Sequence, residues 1–462
     1  MSDGERDQWG ERLERRFGVG TATSIIIGLT IGAGIFASPA AAAGALGAPH
    51  LILLAWALGG AISIAGALSI AELAAAMPRS GGWFTYLVEG WGPAPAFAYG
   101  WVELFVIAPA TLSAGAVLFA QYAGWFVPMG HGGETAVAAA VLLAVTIIAW
   151  VGTGVAGTIV AIATTAKYVG LIALALLIFA LGGGQLHLSA GAAPVPAGVH
   201  LVPAMLTALF AVMFTYDGWG DGARIAGEIR DPARNVPRAM LLAVTLVTAI
   251  YLAVNAAYLF VLPSDALARS PLVAADAVSR LPGIGRIAAG LVSALVAVSV
   301  FGVMLACAVA YPRTQFAMAD RGLFPRIAAR ISPRFGTPSV AIWIVGGMSL
   351  LFLVGGTFQR LANRMLLGLW PFYVLCVLAI FVLRRRRPDL PRPYRAWGYP
   401  VVQVLFVLAG VALMVNASID DPVNAGVTFG LAGVGMVVYP VWRRMQGGRG
   451  GPGGQAGPEA GG

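Results

Sequence analysis

Polar side chains are scarce along most of this chain and gather in short clusters between long apolar stretches. The apolar runs fall at 21–46, 49–76, 93–126, 135–152, 158–182, 202–228, 238–262, 284–319, 338–356, 362–383, 399–418 and 424–443. A helix of roughly 20 apolar residues crosses the hydrocarbon core of a bilayer, so the pattern predicts an all-α membrane protein with about twelve spans. Several runs are rich in glycine, which membrane helices tolerate better than soluble ones.

Two runs are interrupted near their middles. The first reads Thr30-Ile31-Gly32-Ala33-Gly34-Ile35-Phe36, with Ser38-Pro39 just beyond, and the sixth reads Phe214-Thr215-Tyr216-Asp217-Gly218-Trp219-Gly220-Asp221-Gly222. Glycine weakens a helix by roughly 1 kcal/mol relative to alanine. Unwound backbone at membrane depth is tolerable only where it is enclosed by protein or lines a cavity. A half-helix beginning at Ile35 would aim its N-terminal dipole and free N–H groups at an anion such as a carboxylate. The carbonyls freed at Thr30 and Ile31, with those of Phe214 and Thr215, would be acceptors for an ammonium. Runs one and six also open two successive five-helix blocks, and interrupted helices at corresponding positions point to a transport site between inverted repeats. A zwitterion with both charges on one carbon fits such a pair of ends. Close packing through Gly28, Gly32 and Gly44 is the other reading of the first run. Packing does not require Asp217 and Asp221 beside the glycines of the sixth.

Composition excludes a soluble domain: hydrophobic residues are 59%, charged residues 11% and mean hydropathy is +0.83. The N-terminal segment carries Glu5, Arg6, Asp7, Glu11, Arg12, Glu14, Arg15 and Arg16 and has no short apolar core, so no cleavable signal is expected. Cytoplasmic loops collect arginine and lysine. With alternating spans, one side collects Arg6, Arg12, Arg15, Arg16, Arg79, Arg224, Arg230, Arg234, Arg238, Arg313, Arg321, Arg326, Arg330 and Arg334. The same side takes Arg384, Arg385, Arg386, Arg387, Arg392, Arg395, Arg443, Arg444 and Arg449, leaving Arg269, Arg280, Arg286, Arg360 and Arg364 opposite. Both termini are therefore expected in the cytoplasm, in a cell-membrane protein. The net charge of +9 then faces anionic lipid, with no call for nucleic acid.

Among the 29 Lys plus Arg residues, Lys167 is the one lysine, and it lies inside an apolar run. Arginine stays protonated in any protein setting, whereas the charge of lysine responds to its surroundings. Ionisable groups at membrane depth mark working sites. Counted from Thr158, Lys167 is roughly 14 Å into its run, too deep for the ammonium to snorkel easily to the interface. Cys307 and Cys376 fall in separate spans, and His50, His131, His187 and His200 show no i, i+4 pair. No metal site, cofactor or enzymatic cluster is expected from these residues.

The strings IGAGIFASPA, AELAAAMPRSGG, AYGWVELFVIAP, FTYDGWGDGARIAGEIRDPARNVPRAM, YPRTQFAMADRGLFP and RRRRPDLPRPYRAWGYP follow in order between about Gly18 and Trp442. They resemble the amino acid–polyamine–organocation superfamily, and the third and fourth are most similar to its L-amino-acid transporter branch. The resemblance implies ten core helices in two inverted five-helix repeats, with helices one and six discontinuous, plus helices eleven and twelve. It also implies amino acid transport by alternating access, through exchange or proton coupling. Carried over by position, Gly32, Ala33 and Gly34 would bind the substrate carboxylate through backbone N–H groups. Thr30 and Ile31 would face the ammonium alongside Phe214, Thr215 and Asp217, and Phe214 takes the place of an aromatic gate. Lys167 matches a fifth-helix lysine standing where sodium-coupled relatives bind a cation. This implies sodium independence, with the ammonium bridging spans one and eight. Some animal relatives bond a glycoprotein heavy chain through a cysteine that Val127–Glu134 lacks, so no such disulfide-linked partner is expected, only a monomer or weak oligomer in the bilayer.

The organisation that follows is a cytoplasmic tail at 1–17 and a transport core at 18–383, with repeats at about 18–182 and 202–383. A basic loop with two helices occupies 384–444, and a Gly/Pro-rich tail expected to be disordered occupies 445–462. Ala33 is small and Thr215 polar, which favours neutral L-amino acids. A cationic amino acid or polyamine antiporter is the alternative, because Asp217 reads either as a contact for a substrate side chain or as a helix cap. Glu72 is expected to be solvated at the interface or paired with Arg79, while the partner of Glu103 is not visible. Arg384–Arg387 reads as a topology anchor, and Tyr311 and Arg313 as candidates for an inner gate.

Overall fold

The computed structural model describes residues 15–78, 82–183, 200–320, 324, 325, 327 and 330–447. Most of the N-terminal tail, Arg79, His187, Arg321, Arg326 and the C-terminal tail from Gly448 onward lie outside the described residues. Among the described residues every regular element is helical, with one isolated backbone bridge between Phe17 and Ile229. Ten helices among the described residues are long and apolar enough to cross a membrane, and the shorter apolar helices Val19–Thr30 and Ser339–Phe352 occupy the expected first and ninth spans.

Both predicted interruptions are present. The first span is Val19–Thr30 followed by a 3₁₀ turn at Gly34–Phe36 and a second helix, Ser38–Leu46. The second half thus begins as a helix at Ser38, not at Ile35. Pro39 has no N–H to give the Ile35 carbonyl, so the helix cannot run unbroken across this point. The sixth span is Leu201–Tyr216, then a 3₁₀ stretch Trp219–Glu228. Gly218 between them has φ 101°, a left-handed conformation that glycine adopts without steric cost.

The other spans are Pro49–Ala76, His131–Val151, Thr153–Leu181, Pro232–Val261, Gly285–Asp320, Phe358–Arg386, Val401–Asp420 and Pro422–Gly447, with the third assembled from two helices. Those two, Pro93–Val102 and Ala108–Ala123, are joined by a π turn at Glu103–Ile107. Pro109 cannot donate to Phe105, and the missing rung fits the widened turn there.

The packing repeats with a step of five. Span one packs on six, two on seven, three on eight and four on nine. The cross-pairs also map onto each other: one with seven and two with six, three with nine and four with eight, three with ten and five with eight. Such exchange is what a two-fold relation between two five-helix units produces. It brings the interrupted first members of both units together.

Span five shows how sequence spacing sets orientation. Ile162, Val169, Ile172 and Leu176 are exposed along one face, and at 3.6 residues per turn Lys167 lies roughly 140° around the helix from Ile162 and Ile172. The helix starts at Thr153, earlier than its apolar run suggests, which puts Lys167 midway between its ends.

Glu72 corrects one expectation. It is 2% exposed and does not rest in interfacial water. Its carboxylate accepts from Arg384 Nε and Nη2 at 3.0 and 2.6 Å and from the Ala396 N–H at 2.6 Å, with Arg392 Nε 3.7 Å away. Arg384 is therefore more than a topology anchor, for it ties span ten and the following loop to span two. Removing one partner of a buried ion pair strands the other charge. Glu72→Ala should lower the stability of the purified protein by about 3 kcal/mol. By contrast Glu89→Ala, which removes the more exposed pair with Arg387, should cost under about 1 kcal/mol. Denaturation midpoints of the two variants in detergent compare them directly.

Candidate functional site

The two interruptions meet at two points. A Cβ on Gly34 would come within 2.5 Å of Thr215 Oγ1 and 2.8 Å of Thr215 Cα. A Cβ on Gly218 would come within 2.5 Å of the Leu29 carbonyl oxygen and 3.0 Å of Thr30 Cα. Each break therefore supplies a glycine against the backbone of the other. Of the three glycines the packing reading names, Gly28 is in close contact, whereas a Cβ on Gly32 or Gly44 would meet nothing nearer than 3.9 Å. Gly28 adds a third close approach, its missing Cβ leaving room for the Tyr168 hydroxyl of span five.

Lys167 serves the end of the first half-helix. Its side chain is 1% exposed, and Nζ donates to the Gly28 carbonyl at 3.2 Å and, at closer range, to the Ile31 carbonyl. Carbonyls at a helix C-terminus carry partial negative charge and favour a cation. The ammonium does not snorkel. Its hydrogen bonds go to span one, while span eight meets the same helix by packing: Gly302 lies against Ala163, and Gly170 against Leu295. Among the described residues the ammonium thus donates to span one and not to span eight, which touches span five through apolar contacts at other residues.

The remaining predicted residues gather around this contact. Thr30 ends the first half-helix, its hydroxyl donating back to Ile26 at 2.9 Å. Ile31, Ala33 and Gly34 are buried and Gly32 is half-buried. Among the described residues no backbone acceptor takes the N–H of Gly32, Ala33 or Gly34, and the Gly32 N–H lies against the Tyr251 hydroxyl. Phe214 is half-buried and meets Phe358 edge-on, ring centroids 5.4 Å apart. The buried Thr215 hydroxyl has no hydrogen-bond partner among the described residues. Asp217 follows the last helical residue and accepts from the Tyr373 hydroxyl at 2.6 Å. The Tyr373 ring is held between Trp83 and Trp219, at centroid distances of 4.3 and 5.3 Å. The N-cap of the following 3₁₀ stretch is Gly218, which has no side chain to cap with.

Beyond the breaks lies a buried polar cluster that sequence reasoning did not assemble. Glu103, 0% exposed in the π turn, accepts from Tyr99 at 2.9 Å, Arg224 at 3.3 Å and Gln315 at 3.4 Å. Arg224 also reaches Asp221 at 2.7 Å and the Tyr99 hydroxyl at 3.0 Å. Spans three, six and eight are joined here. Of the two span-eight residues singled out from sequence, Tyr311 lies 3.5 Å from the Thr111 hydroxyl and Arg313 is exposed. Gln315 makes the connection instead. Nearby, Phe17 exchanges backbone hydrogen bonds of 2.9 Å with Glu228 and Arg230, fastening the start of span one to the end of span six.

Two interrupted spans that lay unwound backbone against each other inside a helical bundle are the architecture of a broken-helix membrane transporter. The chain belongs to the amino acid permease family, which it matches over residues 17–439. It is 29% identical to the serine/threonine exchanger SteT of Bacillus subtilis (strain 168) over 429 residues, 92% of this chain and 96% of that one. It is 30% identical to the human b(0,+)-type amino acid transporter 1 over 422 residues, 89% of this chain and 84% of the relative. It is also 30% identical to the human large neutral amino acids transporter small subunit 2 over 445 residues, 93% and 81% of the two chains.

The glycine contacts give a sharp expectation. Gly34→Ala and Gly218→Ala should each bring amino acid uptake to background. Gly20→Ala, whose Cβ would meet no atom within 4 Å, should leave uptake unchanged. Uptake normalised to membrane abundance separates lost function from lost protein.

Proposed function

We propose that this protein is a secondary transporter of neutral L-amino acids, independent of sodium, that works by alternating access around the two helix breaks. The observation that carries the reading is the pairing of the N–H groups at Ala33 and Gly34, which no backbone acceptor takes among the described residues, with carbonyl-bearing ends at Thr30 and Thr215. This arrangement offers donors to a carboxylate and acceptors to an ammonium on the same small molecule. Lys167 acts as the resident cation of the first half-helix. Its ammonium satisfies carbonyls that a bound metal ion would otherwise neutralise, so no sodium is required.

Neutral substrates are favoured because Ala33 is small and Thr215 polar, and because Asp217 has a structural role in accepting from Tyr373 that does not depend on a cationic substrate. The printed names of two relatives, a serine/threonine exchanger and a large neutral amino acids transporter subunit, agree with this preference. The arginine-rich loops put both termini in the cytoplasm. On that orientation the Glu103–Arg224 cluster lies on the cytoplasmic side of the breaks and closes that route. Coupling is by exchange or by proton symport, and the chain acts without a disulfide-linked partner.

The test is uptake by the purified chain alone in proteoliposomes, with serine, leucine, arginine and putrescine as labelled substrates. Neutral amino acid uptake that is unchanged when sodium is replaced by choline is the expected result. Stronger competition by arginine or putrescine than by serine would support a cationic amino acid or polyamine antiporter instead. Uptake dependent on internal amino acid marks exchange, whereas uptake driven by an imposed pH gradient marks proton symport. Lys167→Ala should lose transport with normal abundance, and full-rate uptake by this variant would sink the assignment of the lysine.

A further inference from the structure

A basic surface is built where span ten runs into the loop before span eleven. Between Arg384 and Arg395 there are six arginines and one acidic residue, Asp389. Arg392 shapes the loop, donating to the Leu383 and Arg387 carbonyls at 2.9 and 2.8 Å and to that of Leu390 at 2.9 Å. Glu72 then gathers Arg384, Arg392 and the Ala396 N–H, and the Arg384 guanidinium lies 3.7 Å from the centre of the Tyr399 ring. Glu89 takes Arg387. The other three, Arg385, Arg386 and Arg395, are exposed. Their guanidinium groups make no hydrogen bond or ion pair among the described residues, not even with the exposed Asp389. Two of them flank the Glu72 network directly, Arg385 beside Arg384 and Arg395 beside Ala396.

An apolar surface continues from the basic one. Trp397 is 74% exposed, and Val401, Leu405, Leu408, Val415 and Ile419 are exposed along span eleven. At 3.6 residues per turn these five lie within roughly 40° of Val401, a single stripe on one face. Tryptophan beside such a stripe sits at headgroup level. We propose that Arg385, Arg386 and Arg395, with Trp397, form a binding site for the headgroup of an anionic phospholipid whose acyl chains lie along the stripe of span eleven. Three unpaired like charges repel one another, and a phosphodiester among them removes that cost. Guanidinium forks match phosphate oxygens in geometry as well as charge. A free phosphate would use the arginines alone, whereas a lipid uses the arginines, the tryptophan and the stripe together. On the orientation given above this is a lipid of the cytoplasmic leaflet. Because Arg385 and Arg395 are each one residue from a Glu72 contact, the bound lipid braces the loop that Glu72 ties to span two, and it stabilises the folded chain by mass action.

The purified full chain in a neutral detergent is titrated at constant ionic strength with phosphatidylglycerol, phosphatidylcholine or inorganic phosphate, and its thermal midpoint is followed. Phosphatidylglycerol should raise the midpoint saturably, and the other two should not. An arginine near an anionic lipid surface contributes about fivefold in affinity. The triple variant Arg385→Gln/Arg386→Gln/Arg395→Gln should therefore raise the half-saturating phosphatidylglycerol concentration about a hundredfold, and Trp397→Ala should raise it as well. Arg269→Gln/Arg280→Gln/Arg286→Gln removes the same charge from exposed arginines elsewhere and should titrate like wild type. If the first triple variant does not purify folded, Arg395→Gln alone should shift half-saturation about fivefold. Equal shifts with phosphatidylglycerol and phosphatidylcholine overturn the proposal, as does wild-type titration by the loop variants or an equal loss in both triple variants. A shift with inorganic phosphate that matches phosphatidylglycerol overturns the lipid as the occupant. None of these measurements depends on amino acid uptake, so the lipid site stands or falls apart from the transport reading.

Discussion

The structure is organised around backbone groups that have no helical partner. A membrane helix normally satisfies every N–H and C=O internally, and each interruption releases several of both. Here two spans are interrupted at the same level, and the surrounding helices are arranged to answer those groups. Span five sends Lys167 to the Gly28 and Ile31 carbonyls, and span seven sends Tyr251 to those of Thr30 and Thr215. The N–H groups at Gly32–Gly34 receive no backbone acceptor among the described residues. The acceptors of the breaks are thus partly served by side chains, and the Gly32 N–H meets the Tyr251 hydroxyl.

Charge is handled by the same logic of mutual satisfaction. Glu103 lies within a span and would be costly there alone, so it is surrounded by Tyr99, Arg224 and Gln315. Glu72, near a helix end, is enclosed by two arginines and a backbone N–H. Both carboxylates join segments far apart in sequence, and both are buried. Such pairs add little net stability compared with apolar packing, but breaking one is expensive. They therefore specify which helices neighbour which. The aromatic stack of Trp83, Tyr373 and Trp219 does comparable work beside Asp217 with dispersion in place of charge.

The spans were legible because apolar length is a strong signal, and both breaks were legible because glycine clusters stand out within apolar runs. Lys167 was legible as the one charge in a long neutral stretch. Tyr251 was not. It lies in the run Ile250-Tyr251-Leu252, where a tyrosine reads as one more apolar residue until the fold shows what its hydroxyl meets. Tyr373 was hidden the same way. Arg224 was counted with the loop arginines because its partner Glu103 is 121 positions away in sequence, a separation that no local pattern bridges. Glu72 was read as solvated at the interface or paired with Arg79, which lies outside the described residues. Its partner Arg384 is 312 positions away in sequence, beyond the reach of any local pattern. The start of the second half-helix was misplaced for a local reason, with the 3₁₀ turn at Gly34–Phe36 intervening before Ser38.

The reciprocal glycine contacts carry a mechanical consequence. Gly34 lies against Thr215, and Gly218 lies against Leu29 and Thr30. Two fixed points define a line, and rotation about that line is the one rigid movement that preserves both contacts. In their static geometry the half-helices that meet there resemble the leaves of a hinge with two knuckles, each closed by the absence of a Cβ. A side chain at either knuckle would hold the leaves apart and remove the axis. The smallest residues in the two spans thereby set how many degrees of freedom the molecule has.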